Sequence, residues 1–307
     1  MRLVFAGTPD AAVPSLRRLA ASGHDVALVV TRPDAPLGRK RVITPSPVAQ
    51  AADELGIPTL KTARLDADAT ARILAAEPEL GVIVAFGGLV REPLLSGPAH
   101  GWINLHFSLL PRWRGAAPVQ HALIAGDTET GAAVFQLVPD LDAGDVYAEV
   151  RTPIPDDATA ADLLAALAES GGDLLVRVVE DIADGTAVAT PQIGEATLAP
   201  KLTVEDGVLD FSLPASAVLS RLRGVTPEPG ASTTVAGARL KILAAHAAPD
   251  GVAALPAGSL AFAGKRVLVG TATTPIVLER VQPAGKGAMA AGDWWRGLRL
   301  DDPRVGS

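Results

Sequence analysis

Asn104 and His106 stand one residue apart in Ile103-Asn104-Leu105-His106-Phe107-Ser108-Leu109-Leu110-Pro111, an apolar run that begins as a strand. A period of two puts both polar side chains on the same side. An amide and an imidazole so placed can donate to a developing oxyanion and move a proton. The strand runs on into an irregular loop, 111–118, and the carboxyl ends of buried strands are where open α/β sheets keep their active sites. A capped strand end with a hydrogen-bonded histidine accounts for this segment equally well. A second segment, Pro139-Asp140-Leu141-Asp142-Ala143-Gly144-Asp145, packs three carboxylates into six residues. A carboxylate beside the histidine would orient the ring and favour imidazolium. An acidic turn before the next strand is the plainer account.

The elements that must position these groups follow from periodicity. Strands are expected over 2–6, 25–31, 58–61, 81–86, 102–106 and 133–138, with helices over 13–21, 48–55, 67–76 and 118–125. Continuous Val, Ile and Leu strands separated by helices indicate a parallel sheet covered on both faces, so the fold class is α/β, Rossmann-like and doubly wound. A further strand over 146–154 is expected to run antiparallel. A helix over 159–182, interrupted at Gly171-Gly172, is expected to pack back on the sheet. From 206 onward the pattern changes to short strands, 208–211, 232–235, 240–244, 266–271 and 276–281, punctuated by Gly and Pro as in a small β-barrel. The expected organisation is a catalytic domain over 1–188, a linker over 189–205 and a C-terminal barrel domain over 206–307.

Composition excludes several chemistries. The chain of 307 residues has no cysteine, and its five histidines are scattered, so no thiolate chemistry and no metal site are expected. No apolar run approaches the roughly 20 residues of a membrane span, and Met1–Gly7 leads straight into a glycine turn, so a cytoplasmic protein without membrane contact is expected. The first turn, Gly7-Thr8-Pro9, lacks the G-x-G-x-x-G cradle of a dinucleotide-binding dehydrogenase. Net charge is −7, but residues 1–200 carry −10 and residues 201–307 carry +3. A basic tail domain on an acidic body hints at an anionic partner.

Taken together, Asn-x-His-x-Ser-Leu-Leu-Pro over 104–111 and a Leu-Asp-x-Gly-Asp loop whose Asp142 lies 36 residues after His106 resemble the folate-dependent formyltransferases. The continuation Trp113-Arg114-Gly115-Ala116-Ala117-Pro118-Val119-Gln120 and the opening Phe5-Ala6-Gly7-Thr8-Pro9 are similar to the methionyl-tRNA formyltransferase family. So are Val281-Gln282-Pro283-Ala284-Gly285-Lys286 and Asp293-Trp294-Trp295-Arg296-Gly297 near the C-terminus. The resemblance implies a catalytic triad of Asn104, His106 and Asp142 and an oligonucleotide-binding-type barrel. It also implies formyl transfer from 10-formyl-tetrahydrofolate to the amino group of methionyl initiator tRNA, with no metal, by a chain expected to be a monomer. It points to Phe86, Gly88, Leu89, Val90, Ser108, Leu109, Pro111, Asp140 and Leu141 for the folate. Arg32 to Arg41, followed by Thr44-Pro45-Ser46-Pro47-Val48, resembles the loop with which the family enters the tRNA acceptor arm. Arg32, Arg39, Lys40 and Arg41 there, with Lys201, Lys241 and Lys286 further on, are the candidate tRNA contacts. This long basic segment shows no apolar period and is expected to order on RNA.

Three positions depart from the family pattern: Ala11, Phe107 and Glu228. None belongs to the triad. A glycinamide-nucleotide formyltransferase normally ends before a second domain, and an amino-sugar-nucleotide formyltransferase generally lacks the 32–47 loop, but the latter stays the nearest alternative. On this reading His106 acts as a standing imidazolium, Asn104 donates to the same oxygen, and Asp142 holds the ring charged and oriented.

Overall fold

The computed structural model describes residues 1–38 and 41–306. The chain divides into two compact units, one of residues 1–118, 129–153 and 164–200, the other of 119–128, 154–163 and 201–307.

In chain order the first elements are β1 (Arg2–Gly7), α1 (Val13–Ala21), β2 (Asp25–Thr31), β3 (Ala35–Leu37), β4 (Val42–Thr44), α2 (Pro47–Glu54), β5 (Thr59–Lys61), α3 (Ala67–Leu74), β6 (Leu80–Val84), β7 (Trp102–His106), α4 (Pro118–Ala125), β8 (Glu129–Gln136), β9 (Val146–Pro153) and α5 (Ala160–Ala183). Seven strands form one sheet in the order β5-β2-β1-β6-β7-β8-β9. The first five run parallel, and their apolar composition follows from burial on both faces. Ser46 and Asp66 cap α2 and α3 by accepting from the backbone N–H three residues on. Alternation along β7 sends Trp102, Asn104 and His106 to the face covered by α3, while Ile103 and Leu105 face α5.

Several expectations need correction. The strand expected over 133–138 begins at Glu129 and runs antiparallel to β7, so that Gln136 pairs with Ile103. β9 is antiparallel to β8, as expected for 146–154. Gly171-Gly172 does not interrupt the helix. α5 is continuous, and Gly171 lets it approach the sheet so closely that a Cβ would lie 3.1 Å from Leu105. The basic segment between β2 and α2, where no element was expected, contains two short strands. β3 and β4 pair as a hairpin, Ala35 opposite Thr44, with Leu37, Val42 and Ile43 exposed. Arg39 and Lys40, two of the expected tRNA contacts, lie outside the described residues.

The second unit contains α6 (Ala215–Gly224), β10 (Ser232–Val235), β11 (Ala238–Ala247), β12 (Leu260–Ala263), β13 (Arg266–Val269), β14 (Ile276–Pro283), β15 (Met289–Ala290) and α7 (Ala291–Arg296). The strands form an antiparallel sheet in the order β10-β11-β14-β13-β12, with β15 on β14. Residues 303–306 bond to both edges. Val305 bridges to Val235 of β10, and Leu260 of β12 donates its N–H to the Pro303 carbonyl, which leaves neither edge open. The core is aliphatic, from Val218 and Leu222 of α6 to Ile242, Val269 and Val281 of the sheet. No strand forms at 208–211. Val208 makes one bridge, and a hydrogen-bonded Asp210–Ser212 turn follows. α6, β12 and α7 were not anticipated, because their small and mixed residues give no clean period.

Trp102 fills the space beneath the strand pair β6–β7, its Nε1 donating to the Leu94 carbonyl at 2.8 Å, and a Cβ at Gly81 would collide with its ring. Gly81→Ala should therefore lower the unfolding free energy by about 1–3 kcal/mol, the usual cost of overpacking. A lower urea midpoint at constant slope would show it.

Candidate active site

β7 ends at His106, and the chain turns away through Phe107–Gly115. The imidazole is buried, 5% exposed, with its edge against Phe135 at 6.3 Å between ring centroids. Its Nε2 lies 2.9 Å from the Trp113 carbonyl oxygen, which fixes Nε2 as the donor and leaves Nδ1 as the other position. Nδ1 lies 3.8 Å from Oδ2 of Asp142, and the same carboxylate oxygen accepts from the Gly115 N–H at 2.8 Å. Two loops distant in sequence thus converge on one ring.

Asp142 does not arrive from the carboxyl end of a neighbouring parallel strand. β8 ends beside the start of β7, so the 139–145 loop must double back to reach His106. Asp142 adopts the left-handed region at φ 46°, which Asp tolerates better than most residues. Gly144 abuts the Gln136 carbonyl, where any Cβ would collide with backbone. Trp113 is also left-handed at φ 62°, and this orientation presents its carbonyl to His106.

Burial pushes the His106 ring below its ordinary range, and it outweighs the opposing pull of the Asp142 charge and of the Trp113 carbonyl. That direction runs against the expected standing imidazolium: it favours the neutral ring, whose Nδ1 faces the Asp142 carboxylate.

Asn104 shares the face of β7 with His106. Its Oδ1 is buried with no hydrogen-bond partner, an exception that in a folded protein calls for a ligand group or a water. No group of three or more His, Asp or Glu among the described residues could hold a metal ion.

The folate candidates divide by placement. Leu89 and Leu141 are 69% and 55% exposed, beside the exposed Gly88 and Asp140, so two loop tips offer bare apolar side chains. Phe86 and Val90 instead turn partly into the α3-side core. The Ser108 hydroxyl donates to the Arg112 carbonyl at 2.6 Å, Leu109 packs over Gly131, and Pro111 is buried, so these three shape the loop that carries Trp113. Of the tRNA candidates, Arg32 and the exposed Arg41 lie in the first unit. In the second, Lys241 of β11 pairs with Gln282, whose side chain bonds the Lys286 carbonyl at 3.0 Å, while Lys201 lies exposed at its start. Arg239, not anticipated, lines a shallow notch with Lys241 and Gln282. Of the departing positions, Ala11 and Phe107 are buried and Glu228 is exposed.

The segment expected to be a bare linker does more. Thr197 accepts from the Trp113 N–H through its hydroxyl at 2.9 Å and from the Arg114 N–H through its carbonyl at 2.9 Å, and Ala199 donates to the Arg114 carbonyl at 2.7 Å. A strand-like pairing over two residues gives no periodicity to find in sequence.

Two family models match the chain: formyl transferase over residues 1–179, and formyl transferase, C-terminal domain, over 201–299. It is 64% identical to a methionyl-tRNA formyltransferase of Clavibacter sepedonicus over 302 residues, 98% of this chain and 99% of that one. It is 61% identical to a methionyl-tRNA formyltransferase of Leifsonia xyli subsp. xyli, over 97% of each chain. Among solved structures, an N-formyltransferase from Helicobacter canadensis in complex with folinic acid and dTDP-3-aminofucose superimposes with a TM-score of 0.70 at 15% identity, covering 92% of this chain and 98% of that one. HypX from Aquifex aeolicus in complex with tetrahydrofolic acid gives 0.65 at 16% identity, covering 99% of this chain and 50% of that one.

Because the folded His106 titrates below its unfolded value of about 6.5, the unfolded chain binds more protons between the two. The stability this ring contributes is present above pH ~6.5 and is lost as pH falls below it. Urea unfolding from neutral pH downward should show a steeper loss in the parent than in His106→Gln, and parallel curves would contradict the burial argument.

Proposed function

We propose that the chain, which belongs to the formyl transferase family, moves the formyl group of 10-formyl-tetrahydrofolate to the free amino group of methionyl initiator tRNA, giving N-formylmethionyl-tRNA for translation initiation. The observation that supports the chemistry is His106 at the end of β7 with Asp142 at 3.8 Å from its Nδ1 and the unpartnered Asn104 amide on the same strand. Near-full-length relatives named for methionyl-tRNA stand at 61–64% identity, against 15% for a structure holding an amino-sugar nucleotide, which supports the tRNA acceptor over the sugar. No helix among the described residues is long and apolar enough to cross a membrane. Initiation puts the reaction in the cytoplasm, and all three catalytic groups come from one unit of one chain, which supports action as a monomer.

The donor supplies the formyl carbon, bonded to a folate nitrogen. Transfer makes one C–N bond, breaks another, and moves one proton from the attacking amine toward the departing nitrogen. An α-amino group titrates near ~7.7–8.0, so a neutral fraction exists at pH ~7 and no strong base is needed. Neutral His106 takes the proton at Nδ1, where the carboxylate 3.8 Å away stabilises the charge, and can return it to the leaving nitrogen. The Asn104 amide meets the reacting group: its unpartnered Oδ1 can accept from the amine while its NH2 donates to the formyl oxygen. Leu89 and Leu141 flank the pterin, with Gly88 and Asp140 backbone beside them and Phe86, Val90, Ser108, Leu109 and Pro111 holding the walls.

For tRNA, the basic residues of the sequence segment 32–41, Arg32, Arg39, Lys40 and Arg41, and Lys201, Lys241 and Lys286 of the second unit supply phosphate contacts. Exposed Leu37, Val42 and Ile43 give the hairpin an apolar surface that a basic loop does not need for solubility.

Purified protein incubated with 10-formyl-tetrahydrofolate and methionyl initiator tRNA should yield the N-formyl product, and amino-sugar nucleotides should not. Asn104→Ala should reduce turnover about 10²–10³-fold, the usual loss of one oxyanion donor. His106→Ala and Asp142→Ala should each cost orders of magnitude in a folded protein, and normal turnover in folded His106→Ala would end the proposal. In a salt titration, log affinity for tRNA should fall linearly with log salt, and Lys241→Ala should reduce that slope by about 1.

A further inference from the structure

Asp142 has to be held in place by something other than the strand before it. Its loop, 139–145, doubles back from the far end of β8, and its backbone sits in a region that costs most residues about 1–3 kcal/mol. The Gly115 N–H fixes one carboxylate oxygen, but Gly115 belongs to a loop that must itself be fixed. One side chain ties both loops. Nε2 of Gln192 donates to the Asp142 carbonyl at 2.8 Å and to the Gly144 carbonyl at 2.8 Å. Its Oε1 accepts from Arg114, at 2.6 Å from Nη2 and 3.2 Å from Nε.

A primary amide is suited to this place. It has two N–H donors on one side for two carbonyls and an oxygen with two lone pairs on the other for a guanidinium fork. The geometry also settles the amide orientation, because a flipped Gln192 would set its oxygen against two carbonyls and its nitrogen against a cation. Gln192 lies in the segment pinned by Thr190, whose N–H donates to Val146 at 2.9 Å, and by the Thr197 and Ala199 bonds. The side chain is thus presented from a fixed backbone, away from the motifs that carry the triad.

We propose that Gln192 is a positioning residue for catalysis: its amide locks the Asp142 loop to the Arg114 loop and thereby holds the Asp142 carboxylate against Nδ1 of His106. The assignment rests on the formyl-transfer reading for its kinetic consequence but not for its structural one. Asp142 is the carboxylate whose charge reaches the ring, so any loosening of its loop registers in the titration of His106.

Gln192→Met keeps the length and removes all four hydrogen bonds. Gln192→Glu keeps an acceptor for Arg114 but sets a carboxylate against the Asp142 and Gly144 carbonyls. In both variants kcat should fall roughly ten- to a hundredfold, as expected for a catalytic group misplaced by about 1 Å, with KM for methionyl-tRNA unchanged. Followed by NMR of the labelled imidazole, the His106 midpoint in Gln192→Met should move further below the parent's. The same substitution made in Asp142→Asn should move it no further, because the charge that reports the loosening is gone. An unchanged His106 midpoint in Gln192→Met, an equal shift in the Asp142→Asn background, or recovery of full kcat in Gln192→Glu would overturn the assignment. Thermal unfolding of each variant separates lost positioning from lost folding. If the parent transfers no formyl group, the functional reading fails, yet the titration still tests the clamp.

Discussion

A neutral imidazole kept dry beside a carboxylate is the constraint from which most of this site follows. Removing His106 from water disfavours its charged form, and the Asp142 charge at 3.8 Å offsets only part of that cost. The balance favours the neutral ring and sets a carboxylate beside the nitrogen that would carry the proton. A more exposed ring would be partly protonated near neutrality, and one without the carboxylate would have nothing to stabilise imidazolium when it forms. Both requirements are geometric, and they fall on different loops.

Each loop bears a cost to meet them. Trp113 and Asp142 occupy left-handed backbone, at φ 62° and 46°, and each presents a polar group inward by doing so. Such conformations last only where neighbouring bonds over-determine them. Thr197, Ala199 and Gln192 supply those bonds from a stretch with no secondary structure of its own, while Gly115 and Gly144 are glycines because the backbone of Ala199 and Gln136 leaves no room for a Cβ. The packed sheet beneath, with Trp102 against Gly81, gives the loops a rigid base.

The hairpin of β3 and β4 carries exposed Leu37, Val42 and Ile43 beside the exposed Arg41, and the antiparallel sheet of the second unit carries Arg239 and Lys241 on alternate positions of β11. Closure by residues 303–306 frees that sheet from edge-to-edge pairing and leaves its surface for charge. A chain that is acidic overall can still bind phosphate when its basic groups are grouped by the fold.

Much of this was legible in the residues alone. Burial on both faces writes itself as continuous Val, Ile and Leu, so β2, β7, α1 and α4 could be read to the residue, and Asn104 and His106 could be put on one face by alternation. The resemblance to the folate-dependent formyltransferases, and not the residues alone, named Asp142 as their partner. What the residues could not carry was direction and charge state. Nothing in 129–136 says that β8 runs antiparallel, and so nothing says that Asp142 must be carried back by a loop held from 190–199. Nor could composition reveal that burial outweighs the neighbouring carboxylate at His106. Local pattern determines which side chains face inward; which of them meet, and in how little water, is a property of long-range packing, and only the tertiary structure decides it.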